Sequence, residues 1–394
     1  MRFSVAVWLA IALASPLSGA SRDADLERQL AALRRTQSGV FPGTREAKTV
    51  ATRLAEIGRR YLDLGENGRA LELLEEAYGL DDENGLLLAE LTLAHVRAED
   101  FPSARFYLEL AEQRAPRAPP TVYAVLGETY YTLNRLEDAV LAWEQFARLG
   151  GADARVLGRL ARARQELSLS SRQKFLEIGD FAFFFDAAIP REMVERVAAR
   201  LSESYREQAD FFGLRLPATQ VVVLYAGRAY FTLVSVPEWV SGVFDGKIRV
   251  AVDPNGGITP QLESVMSHEL AHSLIRHVSG DRAPGWLHEG LAQWWEGRRV
   301  LRGEFRELLR GSGPVSLSAL ETNLARKADR AAARSNYVEA LGVVEYLMLT
   351  RGPGALACIV RDFGEGDIPE AALAKETGLS SAELVSRWRA WAGI

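Results

Sequence analysis

The chain has 394 residues, a net charge of -5, 48% hydrophobic residues and 25% charged residues. The length predicts two or three domains, and the composition is that of an ordinary globular protein. The acidic balance argues against a nucleic-acid partner and provides no cationic patch for a membrane surface. A single cysteine, Cys358, excludes an internal disulfide and is interpreted as a core position.

The N-terminus has the layout of a secretory signal peptide. Arg2 precedes ten apolar residues at 5–14, and small residues follow at 18–20. Ten apolar residues are too few to cross a hydrocarbon core of about 30 Å, so a stable membrane span is the weaker interpretation. The sequence therefore predicts a signal peptide over residues 1–20, cleavage after Ala20, and export to a bacterial periplasm or the medium.

A helical repeat follows a lead-in segment at 21–51, to which we assign no role. Alanines recur at intervals of 34 and 35 residues, and the positions seven residues further on keep the same offsets. These periods are typical of tetratricopeptide-like units, which predicts an all-α solenoid over residues 52–168. Gly58 and Gly127 fall where two helices of a unit must pack closely. The recurring positions are Ala70, Ala104 and Ala139, then Ala77, Ala111 and Phe146.

The remaining region has an α+β pattern. Residues 181–186 and 221–225 are rich in aromatic and β-branched residues, which predicts two strands, with a helix from Pro190 to about Gly213 between them. The pattern beyond residue 314 is helical.

Between these parts, an Asp-Gly pair at 245–246 predicts a hairpin turn that leads into a strand at 248–252. A further helix is expected to begin at Pro260 and to end before Gly280.

The strongest functional signal is the pentapeptide His-Glu-Leu-Ala-His at 268–272. Its histidines are four residues apart, which places both imidazoles on one face of a helix with Glu269 beside them. A catalytic zinc typically has three protein ligands and an open fourth position, and a carboxylate on the next helix can complete the set. The sequence therefore predicts one zinc ion bound by His268, His272 and Glu289.

Other interpretations of these residues are weaker. A chance string on an amphipathic helix is opposed by clustering, since four of the five histidines fall between 268 and 288. His288 is a rival third ligand, but it neighbours Glu289 and only one of the two can face the metal. A metzincin site would need Gly and His where this chain has Ile275 and Val278.

Together the motifs carry a family resemblance. Residues 172–394 resemble a gluzincin metallopeptidase of the peptidase-MA-like kind, whose pattern is His-Glu-x-x-His followed by Trp-Leu-x-Glu-Gly-x-Ala, here at 286–292. The resemblance extends to residues 239–249 and to Tyr-Val-Glu-Ala at 337–340, nine residues before Tyr-Leu at 346–347. It implies a small sheet, the motif helix and a C-terminal helical part within one α+β domain.

The resemblance also implies roles for individual residues. Zinc lowers the pKa of bound water to about 7, and Glu269 is expected to act as the general base. In gluzincin aminopeptidases a Tyr in a Tyr-x-x-Gly context stabilises the transition state. Tyr337 occupies that position with Ala340 in place of Gly, and a core role for its ring stays an alternative.

Two further features follow from the same family. An acid four residues past the third ligand often orients a metal-bound His, but this chain has Gln293 there, whose amide is expected to accept from an imidazole. Glu296 is the other candidate, with a position on a solvated helix face as its alternative. The last strand before the metal helix is an edge strand that pairs with substrate, and residues 248–252 resemble it.

The sequence thus predicts an exported zinc peptidase that acts on peptides or proteins, with repeats that recruit substrate or a partner protein. One alternative is an inactive zinc-containing scaffold that works through the repeats, but such a scaffold has no need of Glu269 as a base. Another is a zinc hydrolase of a non-peptide amide or ester, which the sequence leaves open.

Overall fold

The computed structural model describes residues 19–394 apart from short segments, so the predicted signal peptide lies almost wholly outside the described residues. The chain divides into two compact units, one ending at Ser171 and the other beginning at Arg172. The segments not described are 37–39, 64–66, 99, 116–118, 171–172, 214–218, 229, 231–241, 281, 301–304, 310–315, 326–329 and 366–368.

The described part of the N-terminal unit is built from α-helices. Helix α2 begins at Arg45, inside the segment interpreted as a lead-in. The main helix pairs are α2 with α3, α4 with α5 and α6 with α7, and α4 also packs against α6. The helices are α1 (Gly19–Thr36), α2 (Arg45–Asp63), α3 (Asn67–Leu80), α4 (Gly85–Arg97), α5 (Phe101–Arg114), α6 (Pro120–Thr132), α7 (Leu136–Arg148) and α8 (Ala154–Ser170).

Glycines allow two of these pairs to pack closely. A Cβ on Gly58 would lie 3.0 Å from Leu74 of α3, and a Cβ on Gly127 would lie 2.4 Å from the indole of Trp143 in α7. A larger residue at either position would push the two helices apart. All six recurring positions of the sequence pattern are buried: Ala70, Ala77, Ala104, Ala111, Ala139 and Phe146.

The C-terminal unit contains a five-stranded mixed sheet with the strand order β1-β2-β3-β5-β4. Strands β2, β3 and β5 are parallel, whereas β1 and β4 pair antiparallel at the two outer positions. The predictions of β2, β3 and β5 are confirmed, as is the hairpin turn that joins β4 to β5, whereas β1 was not predicted. The strands are β1 (Gln173–Ile178), β2 (Phe181–Asp186), β3 (Gln220–Ala226), β4 (Gly242–Phe244) and β5 (Ile248–Val252).

The expectation that residues 248–252 form an edge strand is wrong. The turn at Gly246, whose φ is +94°, folds β4 back antiparallel onto β5, so β5 lies between β3 and β4. The edge strand nearest the motif helix is therefore β4, which contacts that helix along with β5.

Helices cover one face of the sheet. Alternate residues of β2, β3 and β5, such as Phe183, Val222 and Val250, share one buried core with the helices that follow β2 and β5. The described helices of this unit are α9 (Arg191–Phe212), α10 (Pro260–Ser279), α11 (Gly285–Trp295), α12 (Phe305–Leu308), α13 (Leu317–Ala325), α14 (Arg330–Arg351), α15 (Pro353–Glu365), α16 (Pro369–Thr377) and α17 (Ser381–Ala392).

The chain is thus mostly helical with one small mixed sheet, in agreement with the α+β prediction. Cys358 is half-buried in α15. In the described part of the chain, each helix taken singly is too short or too polar to cross a membrane. The bent pair Ser335–Arg351 and Pro353–Gly364, at 118°, meets the length and composition needed when taken together.

Candidate metal centre

Helix α10 carries the two motif histidines at its middle. Thr259 caps its first turn by accepting from the Leu262 N–H, and Gly280 ends it in the left-handed region at φ +59°. His268 and His272 are both buried, and their ring centroids are 4.9 Å apart. One turn of helix therefore presents both imidazoles on the same face, as the four-residue spacing predicts.

Helix α11 brings Glu289 to these imidazoles. Its carboxylate oxygens lie 3.7 Å from Nε2 of His268 and 3.9 Å from Nε2 of His272. One ligand atom from each of the three residues lies within 4.8 Å of the other two. The structure therefore brings the three predicted ligands together.

This arrangement fits a zinc ion. Zinc binds nitrogen and oxygen at about 2.0–2.2 Å, so two atoms bound to one ion are at most about 4.4 Å apart, and the distances from Glu289 to the two imidazoles, 3.7 and 3.9 Å, lie within that limit. The Nε2 atoms of His268 and His272 are buried and have no hydrogen-bond partner, which is costly unless another ligand satisfies them. Two imidazole nitrogens and a carboxylate are donors that zinc prefers.

Close packing and a side-chain cap hold α11 in place. A Cβ on Gly290 would lie 2.5 Å from the Ala340 carbonyl oxygen, so α11 meets the backbone of α14 at this point. At the start of α11, Glu321 accepts from the Trp286 N–H at 3.2 Å.

Glu269 lies beside the cluster under the edge strand. Burial raises the pKa of its carboxyl well above the usual range, and the charges of Glu289 and Glu296 raise it further. The Phe244 N–H of β4 donates to it and opposes the shift. A Cβ on Gly242 would lie 2.7 Å from its Oε1. A divalent cation would also lower this pKa, because an opposite charge favours the carboxylate.

Tyr337 lies on α14 and is buried. Burial raises the pKa of its phenol well above the usual range, and the charges of Glu289 and Glu269 raise it further. The phenol is therefore within electrostatic reach of the third predicted ligand and of the predicted base.

The expectation that Gln293 accepts from an imidazole is wrong. Its amide nitrogen donates to the backbone oxygens of Glu289 and Tyr337 at 3.1 and 2.9 Å, and its oxygen accepts from Arg298. The Gln293 side chain faces α14, and its two hydrogen bonds connect the backbone of Tyr337 to the helix that carries Glu289.

Glu296, the other candidate, contacts a motif imidazole that Gln293 does not. One oxygen of Glu296 lies 3.2 Å from Nδ1 of His268, the ring nitrogen that does not face Glu289. Glu296 is the C-cap of α11, where the chain leaves the helix axis and the side chain can reach back to α10. A carboxylate at this nitrogen fixes the orientation of the ring.

His288 does not join the ligand cluster. Its Nδ1 lies 3.5 Å from Nδ1 of His272, on the side of that ring away from Glu289. Burial lowers the pKa of His272 well below the usual range, and the neighbouring His268 and His288 lower it further. Glu289 is therefore the third member of the cluster, as predicted.

Sequence reasoning missed the contribution of β4. Gly242 and Phe244 contact the predicted base through a close approach and a backbone N–H, neither of which depends on side-chain chemistry. A glycine within an apolar stretch is the available signal, since it marks close approach of a backbone.

Comparison with known proteins gives little further guidance. No family model matches the chain, and none of the curated proteins matches it. Among solved structures it is similar to a crystal structure of an M1 zinc metallopeptidase mutant from Deinococcus radiodurans, with 17% identity and a TM-score of 0.35. The match covers 56% of this chain and 51% of that one, so the chain spans about half the length of that protein.

Proposed function

We propose that this chain is a zinc-dependent peptidase in which Glu269 is the general base. The observation that carries the proposal is the convergence of buried His268, His272 and Glu289, with an acid directly beside them. A site that only held a structural zinc would use a fourth protein ligand, and three ligands leave a position open.

The chain's own residues supply the remaining chemistry. A bound zinc ion contributes Lewis acidity and lowers the pKa of coordinated water. Glu269 accepts the proton of the attacking water and returns it to the leaving amine. The Tyr337 phenol donates to the oxygen that gains charge during attack. Glu296 keeps His268 in the orientation in which Nε2 faces Glu289.

The substrate backbone lies along β4 in this proposal. The Phe244 N–H points to Glu269 and therefore away from β5. The backbone N–H of Gly242, two residues earlier on the same strand, points in the same direction. An extended peptide that pairs with this edge would place its carbonyl beside the base.

Export and recruitment complete the proposal. The apolar run at 5–14 supports export through a signal peptide over residues 1–20. The paired helices of the N-terminal unit support recruitment of a substrate or partner protein.

The test combines zinc analysis with cleavage of a peptide library by the chain that begins at Ser21. We expect one zinc per chain and cleavage. Glu269→Gln, which keeps the side-chain size but cannot accept the proton, should retain zinc and lose turnover by about 10²-fold or more. Tyr337→Phe should retain zinc and lose turnover by roughly 10- to 10³-fold.

Other outcomes separate the alternatives. Stoichiometric zinc without cleavage of any peptide, amide or ester would contradict the enzyme proposal and favour a scaffold. If the protein cleaves amide or ester probes but no peptides, and Glu269→Gln abolishes this cleavage, the substrate is a non-peptide amide or ester and Glu269 is still the base. Unchanged kinetics in Tyr337→Phe would remove the phenol from the mechanism.

A further inference from the structure

We infer that His288 is a positioning residue that orients His272 by accepting a hydrogen bond from it, an inference that rests on the zinc site of the proposed function. His272 is the ligand imidazole that Glu296 does not contact. The structure places the other histidine of α11 against it instead.

The contact joins two buried rings. Nδ1 of His272 lies 3.5 Å from Nδ1 of His288, the ring planes are inclined at 32°, and the centroids are 5.6 Å apart. The exposed fractions are 0% for His272 and 3% for His288, so water does not compete for this contact. The other nitrogen of His272, Nε2, lies 3.9 Å from Glu289. Its two ring nitrogens therefore face two different partners.

Zinc binding fixes the positions of the protons. A metal can bind Nε2 of His272 only through its lone pair, so the proton of that ring is on Nδ1. A buried N–H needs an acceptor, and Nδ1 of His288 lies within hydrogen-bond distance. His288 must then have its own proton on Nε2, which leaves the Nδ1 lone pair to accept.

Both ligand imidazoles are thus oriented from one helix. Glu296 contacts Nδ1 of His268 at the end of α11, and His288 contacts Nδ1 of His272 from the position before Glu289. The two contacts differ in charge, because one acceptor is a carboxylate and the other a neutral ring. Charge-assisted hydrogen bonds are the stronger kind, so the contribution of His288 to zinc affinity should be the smaller of the two.

A ring that only fills space at this position would have different consequences. Phenylalanine keeps a planar ring, somewhat larger than that of histidine, but has no acceptor, whereas asparagine has an acceptor oxygen and less volume. A packing role predicts that His288→Phe, or the smaller His288→Leu, is tolerated better than His288→Asn. An orienting role predicts the reverse order.

The experiment measures zinc affinity by competition with a chelator, using the complete chain from Ser21. We expect about 10- to 100-fold weaker binding in His288→Phe, the range seen when partners of metal ligands are removed. His288→Asn should stay within about threefold of the wild type, since it restores an acceptor. His277→Phe, on α10 outside the cluster, is the matched control and should bind zinc as the wild type does.

Two further measurements guard against misfolding and packing effects. Thermal melting of the metal-free proteins shows whether each variant folds, and His288→Leu, which also lacks an acceptor, replaces His288→Phe if that variant does not. Nitrogen NMR of the zinc form should show the proton of His272 on Nδ1 and that of His288 on Nε2. A proton on Nδ1 of His288 would overturn the inference.

The outcomes are distinct for the two proposals. Equal zinc affinity in wild type, His288→Phe and His288→Asn would overturn the positioning role, as would a loss in His288→Asn that exceeds the loss in His288→Phe. A wild type that binds zinc but cleaves nothing would contradict the proposed function and leave the positioning role standing. A wild type that binds no zinc would contradict both.

Discussion

The two units of the molecule bury carboxylates in opposite electrostatic surroundings. In the N-terminal unit, Glu128 lies 2.6 Å from Arg97, 3.0 Å from Arg159 and 3.8 Å from Arg59. Burial would raise the pKa of Glu128, but these three guanidinium groups lower it to about 2. In the C-terminal unit, burial raises the pKa of Glu269 and the acids around it raise it further.

A buried carboxylate indicates a ligand site when the chain provides no cation to pair with it. The Glu128 cluster is an ion-pair network that links helices α2, α4, α6 and α8 through the protein's own cations. Around Glu269, Asp245 and Glu296 are paired with Arg249 and Arg298, but Glu269 and Glu289 face two imidazoles with unsatisfied Nε2 atoms. A cation from outside the chain would balance these two carboxylates, whereas Glu128 is balanced already.

The largest expected effect is the loss of the metal. The double variant His268→Ala/His272→Ala removes two of three donors, so zinc should fall from one per chain to none after dialysis, as measured by atomic absorption. The double variant His277→Ala/Cys358→Ala is the control for two substitutions outside the cluster. Stoichiometric zinc in the histidine double variant would place the metal elsewhere.

A glycine substitution tests the contact between the edge strand and the base. In Gly242→Ala, the new Cβ would lie 2.5 Å from Val265 and 2.7 Å from Glu269, so the strand or the carboxylate must move. We expect turnover to fall by about 10²-fold at unchanged zinc content, since small displacements at a reacting centre have effects of this size. Gly257→Ala is the control, because nothing lies within 4 Å of its Cβ. Full activity in Gly242→Ala would show that the base tolerates this displacement.

The parts of the site that follow from helix periodicity could be predicted from the sequence. His268, His272 and Glu269 share one helix, so their relative placement depends on a local repeat. Contacts between α10 and α11 depend on how the two helices cross, which the periodicity along either helix does not determine. The pattern could not therefore decide between Gln293 and Glu296.

Strand length and exposure explain how well the other strands could be predicted. Strand β4 has three residues, too few for alternation to show, so only the hairpin turn indicates it, and its position at the edge follows from that turn at Gly246. Strand β1 alternates weakly because much of it is exposed. Strands β2 and β5 are mostly buried, and their apolar runs were visible in the sequence.

A smaller effect, on stability, is expected in the N-terminal unit. Glu128→Gln leaves three arginines without their shared carboxylate. The pKa of Glu128 falls from the usual 4.5 to about 2, which corresponds to about 3 kcal/mol of unfolding free energy at neutral pH. Because the folded pKa is the lower one, this contribution is complete above about pH 5 and is lost as the pH falls toward 2.

Urea denaturation followed by circular dichroism tests this at several pH values. The difference between wild type and Glu128→Gln should shrink as the pH falls from 5 to 3. Glu144→Gln is the control, because Glu144 pairs with Arg164 at an exposed site, where ion pairs contribute less than about 1 kcal/mol. A difference that stays constant with pH would mean that the charge of Glu128 contributes nothing to stability.

The smallest expected effect is on short-peptide cleavage after removal of the N-terminal unit. The core of the C-terminal unit is one cluster of residues between Phe181 and Ala392, and the predicted ligands, base and phenol all lie within that range. The clusters of the N-terminal unit lie between Leu26 and Ala163.

A chain that begins at Arg172 should therefore fold, bind one zinc and cleave a short peptide within about threefold of the full rate, while losing its preference for a protein substrate. Melting temperature, zinc content and the two cleavage rates check this. A truncated chain that folds and still prefers the protein substrate would remove recruitment from the N-terminal unit, and one that melts early or lacks zinc would make that unit a structural support.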